Sequence, residues 1–232
     1  MTSKSEWTVA YPPIDPASDD HLFFDDHQWA TIEAATARII PTDHDPGARE
    51  AGVTRFIDHY LSGITYVFAA ADGSGFLRIE GRSETAWRER AAAMQQTYRD
   101  GIVDLDRVAN ARFGAAFKDI AEADQDEVLV EVSGLPRPEP VPIGKGRPSG
   151  TFLQGSFDEG MSFFQALVLH TRQGFYGDPA YGGNKDRVGW KVIGFPGPES
   201  LADTNDCTYS VRDAFVLDAD WTELIPFLRE SR

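Results

Sequence analysis

The stretch that decides the fold is MSFFQALVLHTRQGFY, residues 161–176. Its apolar side chains cover most of the circumference of a helix, and a helix that is apolar on more than one side must be buried. These apolar residues are Met161, Phe163, Phe164, Leu167, Val168 and Leu169. We therefore expect the core to form around this helix, with His170 as a hydrogen-bonded residue inside it.

Two segments on the N-terminal side carry the helical spacing that such a core needs. Residues 26–40 form a predicted helix, which Asp25 or Asp26 caps and Pro41 ends. In residues 53–61, apolar side chains fill positions i, i+3, i+4, i+7 and i+8, and a glycine follows. The second segment is therefore predicted to be a one-sided amphipathic helix.

Three further segments leave more room for alternatives. One apolar stripe runs through residues 87–105 but is interrupted by Gly101, which fits one long helix or two helices with a kink. Residues 124–132 combine early acids with β-branched alternation, and Gly134 as a stop favours a helix. Residues 64–79 fit a short hairpin or a long loop equally well.

The remaining chain is rich in proline and glycine. Residues 1–24 predict an extended arm, and residues 134–150, with five prolines and four glycines, predict a polyproline spacer. The fold class is therefore mainly α, an irregular helical fold with long Pro/Gly-rich loops and an extended N-terminal arm. We expect its helical domain over 25–198 and a C-terminal extension over 199–232, with a short helix at 220–229.

Residues 174–198 combine seven glycines and three prolines with five aromatic rings. Such a stretch does not build a core of its own, yet large rings are rarely left in water. The rings belong to Phe175, Tyr176, Tyr181, Trp190 and Phe195, and we place Trp190 in a loop. Something must cover them: we expect a second protein to do so, and for Trp190 the alternative is packing on this chain's own helices.

Composition excludes several classes of protein. The formal charge of −15 repels phosphate backbones and anionic lipid surfaces, so nucleic acid is not an expected partner. Cys207 is the only cysteine, and one thiol forms no internal disulfide. The sequence shows no export signal and no long apolar stretch, so we expect no membrane anchor, and a cytoplasmic location unless a leader has been removed.

No motif predicts catalysis, a cofactor site or a metal site in this chain. A GxSxG elbow and a Walker A loop are absent, and GKGRPSG at 144–150 has the wrong spacing for a dinucleotide site. Tyr181 and Lys185 form a YxxxK pair, but glycines fill the turn that would have to be helical. His44 stands between two aspartates, and consecutive residues rarely converge on one ion.

One long run carries a resemblance to a known family. DPAYGGNKDRVGWKVIGFPG at 178–197 follows a helix that ends in LHTRQGFY, and it resembles the gluconate 2-dehydrogenase subunit 3 family. The front half agrees, because WATIEAATARIIPTDHDPGAREAGVTRFIDHYL at 29–61 is similar to the opening of that family. The resemblance spans roughly 25–198, with a weaker middle.

The resemblance implies an accessory role. Members of the family are non-catalytic small subunits that wrap and stabilise, in a chaperone-like way, a large FAD-dependent dehydrogenase of the glucose-methanol-choline (GMC) type. That partner oxidises sugars and holds the FAD, and a cytochrome or other electron acceptor can join the complex. Many members carry a twin-arginine leader for export to the periplasm, and this sequence departs from them in showing none.

The resemblance and the uncovered rings together predict a partner interface in the segment 175–196. The predicted interface residues are Phe175, Tyr176, Asp178, Pro179, Tyr181, Gly182, Gly183, Asn184, Gly189, Trp190, Phe195 and Pro196. Tyr181, Trp190 and Phe195 are its expected buried anchors, so Trp190→Ala should weaken assembly by about 2 kcal/mol or more.

Two other functions stay open at this point. The chain could be a stand-alone carbohydrate-binding or interaction module, in which tryptophan rings stack on sugars. It could instead be a free-standing oxidoreductase that uses Tyr181 with Lys185, or His44.

Overall fold

The computed structural model describes residues 8–15, 18, 20–70, 72–135 and 160–198. In chain order its helices are α1 (Asp26–Ile39), α2 (Val53–Ser62), α3 (Gly81–Phe113), α4 (Glu122–Ser133), α5 (Phe163–Tyr176) and α6 (Val188–Val192). Two short strands, β1 (Val9–Tyr11) and β2 (Phe76–Leu77), form an antiparallel pair. Single helical turns cover Ile64–Tyr66, Phe117–Asp119, Pro179–Tyr181 and Lys185–Arg187. The mainly α fold class is thereby confirmed.

Local capping explains why the predicted helices begin where they do. At α1 the Asp25 side chain accepts a hydrogen bond from the Gln28 amide, and the Gln28 side chain accepts one from the Asp25 amide. Ser162 and Gln165 make the same reciprocal pair at α5. Each pair satisfies two amides that a helix start otherwise leaves without partners.

Helices α1 to α5 share one core, and α5 contributes the buried face that its sequence predicted. The largest fully buried side chains include Ile32, Ile57, Leu61, Tyr98, Leu105, Val128, Leu167 and Phe175. His170 is fully buried among them, and its Nδ1 lies 2.9 Å from the Tyr98 hydroxyl oxygen. The prediction of a hydrogen-bonded core histidine is confirmed.

Helix α3 runs without a break, so the long-helix alternative is correct. The interruption at Gly101 has a packing cause: a Cβ there would fall on the Phe163 ring at the start of α5. The missing Cβ therefore allows α5 to approach α3 closely, at a cost of about 1 kcal/mol in helix propensity.

Gly101→Ala is therefore expected to destabilise the protein, by about 1–3 kcal/mol, because overpacking of the ring outweighs the gain in helix propensity. Urea unfolding followed by circular dichroism measures this change. Ala92→Gly, the reverse exchange at an exposed position of α3, calibrates the propensity effect alone. A Gly101→Ala variant more stable than the wild type would contradict the packing explanation.

The undecided segment 64–79 contains a short hairpin, in which the Ala70 amide donates to the Gly75 carbonyl, so the hairpin alternative is correct. It begins with a helical turn, and an isolated bridge joins Ala69 to Phe76. Its strand β2 pairs with β1 of the N-terminal arm. Residues 8–15 of that arm contain β1 and no helix, and the Asp15 carbonyl accepts a hydrogen bond from Arg55 Nη1 at 3.1 Å.

Several predictions fall on parts of the chain that the structure does not describe. These are most of the spacer (136–150), Cys207, and the C-terminal extension with its short helix at 220–229. Among the described helices, none is both long enough and apolar enough to cross a membrane.

Candidate functional site

The motif segment, residues 178–197, folds back on α5 and is fastened there by Asn184. The side chain of Asn184 is fully buried, with its Oδ1 accepting from the Gly189 amide and its Nδ2 donating to the Gly177 carbonyl, both at 2.8 Å. Its own amide donates to the Gly174 carbonyl at 2.6 Å. Two of these hydrogen bonds tie the segment to the end of α5 and the third braces it internally, although Asn184 has a positive φ of 47°.

A second attachment joins the segment to α2. The Lys185 amide donates to the Ala51 carbonyl at 3.0 Å, just before α2 begins. Gly189 also packs directly on α5, where a Cβ would collide with the Phe175 carbonyl oxygen. The segment is therefore an integral part of the helical fold.

Trp190 is sheltered by its own chain, so the expectation that a second protein must cover this ring is wrong. Only 6% of the residue is exposed. Its Nε1 donates to the Tyr176 carbonyl at 2.7 Å, and its ring meets the Phe195 ring edge-on at 5.1 Å between centroids. The placement of Trp190 in a loop is also wrong, because the short helix α6 carries it onto α5.

Trp190→Phe is therefore expected to lower the free energy of unfolding of the isolated chain by about 1–2 kcal/mol, since it leaves the Tyr176 carbonyl without its donor. Thermal unfolding of the purified chain tests this expectation. An unchanged melting temperature would show that the indole is not held as described. The effect of Trp190→Ala on assembly stays a prediction, which we now expect to act through the stability of the subunit itself.

The predicted interface residues divide into three groups. The buried ones are Phe175, Gly183, Asn184, Gly189 and Trp190, and the half-buried ones are Asp178, Pro179, Tyr181, Gly182 and Phe195. Tyr176 and Pro196 are exposed. The buried group serves the fold of this chain, so the residues free to meet another protein are the half-buried and exposed ones.

Sequence reasoning missed two exposed residues beside this group, Val192 and Ile193. They follow Trp190 at the end of α6, where the sequence showed no helical periodicity. In the sequence they are marked only as two adjacent β-branched residues followed by a glycine. This pattern does not distinguish a buried pair from an exposed one.

A cleft of about 680 Å³ lies between the motif segment, the N-terminal arm and the starts of α1 and α2. Its walls carry charges of both signs. The cationic residues are Arg49, Arg55 and Lys185, and the anionic ones are Glu33, Glu50, Asp178 and Asp186. The cleft therefore has no charge preference that selects one class of ligand.

Burial shifts the pKa of two ionisable groups in the motif segment. It raises the pKa of the Asp178 carboxyl, against a hydrogen bond from the Ala180 amide that lowers it. It also raises the pKa of the Tyr181 phenol, against a hydrogen bond with the Ala69 backbone. A YxxxK pair needs a phenol whose pKa is lowered by its lysine, and here Tyr181 and exposed Lys185 lie on separate helical turns.

His59 is a buried group that the sequence did not single out. It lies in α2 under Gly182, its ring stacks on Tyr66 at 5.0 Å, and its Nδ1 is buried without a hydrogen-bond partner. Burial lowers its pKa. A small cavity of about 200 Å³ beside it is lined mainly by aromatic rings.

The turn at His44 brings its two neighbours onto one ring. Asp43 Oδ1 lies 3.2 Å from Nδ1 of the imidazole, and Asp45 Oδ2 lies 3.0 Å from Nε2. All three residues are exposed, and their nearest ligand atoms lie within 4.8 Å of one another. Because the carboxylates contact opposite nitrogens of the ring, the three side chains form a solvated turn and do not converge on one point.

Comparison with known proteins gives one match. A family model described as gluconate 2-dehydrogenase subunit 3 matches residues 26–197. The matched region starts at the first residue of α1 and ends with the motif segment. The comparisons with curated proteins and with solved structures found no match.

Proposed function

The chain belongs to the gluconate 2-dehydrogenase subunit 3 family, and from this we propose that it is the non-catalytic small subunit of a sugar-oxidising complex. In this proposal it wraps and stabilises, in a chaperone-like way, a large FAD-dependent dehydrogenase of the GMC type. The partner binds the FAD and oxidises a CH–OH group of the sugar. The observation that carries the proposal is a family match that covers both the front helices and the motif segment.

The arrangement of the motif segment supports a structural role for it. Asn184, Gly189 and Trp190 are occupied in holding the segment against α5. Burial raises the pKa of the Tyr181 phenol, so less of it is ionised at neutral pH, the opposite of the lowered pKa that a YxxxK pair needs. These features favour a subunit that presents a shaped surface over an enzyme that works through the Tyr181–Lys185 pair.

Co-expression tests the proposal. The GMC-type flavoprotein is produced with and without this chain, and its flavin content and sugar oxidation are measured after purification. We expect the flavoprotein made with the chain to hold more FAD per polypeptide and to be more active. The purified chain is also added to flavoprotein that was made without it. This addition separates a role during folding from a role in the finished complex.

Two results would contradict the proposal. Equal flavin content and activity with and without the chain, and no association between the two proteins, would remove the accessory role. Sugar oxidation by this chain alone would instead support a free-standing oxidoreductase.

A further inference from the structure

Three large apolar side chains are exposed where α6 meets the end of α5. They are Tyr176 (41% exposed), Val192 (38%) and Ile193 (57%), which we call the apolar corner. The hydrogen bond from Trp190 to the Tyr176 carbonyl joins the two elements at this point. The side chains of the corner therefore stand on a backbone that is fixed by buried contacts.

The stretch of chain that contains the apolar corner differs in charge from the chain as a whole. The protein carries a formal charge of −15. Residues 160–198, in contrast, contain four basic residues and only two acidic ones. The basic residues are Arg172, Lys185, Arg187 and Lys191, and Lys191 is exposed on α6 itself. The corner thus belongs to a net basic stretch of an acidic protein, and the exposed Lys191 directly precedes Val192 in the chain.

We propose that the apolar corner is the surface on which the large dehydrogenase subunit docks, through an apolar patch bordered by carboxylates. The inference rests on the proposed function. Burial of the corner would supply affinity, while Lys191 and its cationic surroundings would steer an acidic rim into place. A second copy of this chain fits less well, because two molecules that each carry −15 repel one another.

Another exposed apolar residue provides a matched control. Val103 on α3 is 65% exposed. Val103→Asp therefore replaces an exposed apolar side chain by a carboxylate, as Ile193→Asp does. Its neighbours on α3 include the exposed acids Asp100 and Asp104. An acidic rim would be repelled at that position, so Val103 is expected to lie outside the interface.

Binding of the purified flavoprotein to wild-type, Ile193→Asp, Lys191→Glu and Val103→Asp chains tests the inference. We expect Ile193→Asp to raise the Kd about tenfold or more, as loss of an interface anchor does. Lys191→Glu should slow association and reduce its dependence on salt. Val103→Asp should leave both quantities unchanged, and circular dichroism confirms that each variant is folded.

The outcomes separate this inference from the proposed function. If the wild-type chain does not bind the flavoprotein, the proposed function fails. If the wild type binds and all three variants bind equally well, the proposed function stands and the docking surface is elsewhere. If Ile193→Asp abolishes self-association of the chain and leaves flavoprotein binding intact, the corner is a contact between copies and the inference is overturned.

Discussion

Asp58→Ala is expected to lower the free energy of unfolding by about 3 kcal/mol or more, because it leaves three main-chain amides, one of them buried, without their acceptor. The carboxylate of Asp58 in α2 is fully buried. It accepts hydrogen bonds from the amides of Leu22 (2.7 Å), Phe23 (2.9 Å) and Phe24 (2.8 Å). One side chain thus holds the segment that leads from the N-terminal arm into α1.

Chemical denaturation of the purified chain measures this loss. Asp104→Ala is the matched control: Asp104 is an exposed carboxylate on α3 that pairs with Arg107 at 3.1 Å. Its removal should cost less than about 1 kcal/mol, as is usual for surface ion pairs. If Asp58→Ala does not fold, Asp58→Asn retains one accepting oxygen and should give a measurable intermediate. Equal losses of stability in Asp58→Ala and Asp104→Ala would show that the Asp58 carboxylate does not hold the segment before α1.

Asn184→Ala is expected to cost about 3 kcal/mol, through two lost buried hydrogen bonds and a positive φ that alanine disfavours. The Gly189 amide and the Gly177 carbonyl would both lose their partner. Because these bonds hold the motif segment on α5, we also expect faster hydrogen exchange at the Gly189 amide. The substitution should therefore loosen the segment before the rest of the core.

Two variants separate the causes of this effect. Asn184→Gly removes the side-chain bonds but tolerates the positive φ, so it should lose slightly less stability than Asn184→Ala. Lys185→Ala changes the exposed neighbour, whose contact with Ala51 is made by the backbone, and should behave like the wild type. Unchanged exchange at Gly189 in Asn184→Ala would show that the motif segment is held by other contacts.

The central helices were predictable because local rules decide them. The apolar set of 161–176, the Asp25 cap and the glycine after residue 133 each act within a few residues of sequence. The prediction for His170 succeeded for the same reason, since a histidine on a thoroughly apolar helix needs a buried partner. Here that partner is Tyr98.

Features that depend on contacts across the chain were not predictable. Nothing in the sequence shows that Phe163 will lie against Gly101, so that glycine reads only as a cost to the helix. The sequence does not mark Asp58 either, since its three donors lie more than thirty residues earlier in the chain. The partners of the Asn184 side chain are backbone groups, which carry no sequence signal, so its role in the fold is not predictable.

The same limitation explains the error at Trp190. A glycine-rich segment with large rings looks uncovered when only its own residues are counted. In the structure the Tyr176 carbonyl at the end of α5 holds the indole, and the Phe195 ring and Gly197 lie against it. A partner interface is therefore expected at the exposed residues of the apolar corner and not over the whole motif segment.

This location also changes how the interface is best tested. Deletion of 178–197 would remove Asn184 and Trp190 along with any partner contact, so it would disrupt the fold of the subunit itself. Substitutions at Lys191 and Ile193 alter exposed side chains and leave those buried contacts in place. Loss of binding in such variants can be assigned to the surface.

Sedimentation of this chain mixed with the GMC-type flavoprotein, detected by flavin absorbance, is the most direct test of its role as a subunit. We predict that the flavin moves faster in the mixture than with the flavoprotein alone, by the amount that a bound 25.6 kDa chain adds. Flavin that sediments at the same rate with and without the chain, over a range of concentrations and salt, would contradict the account.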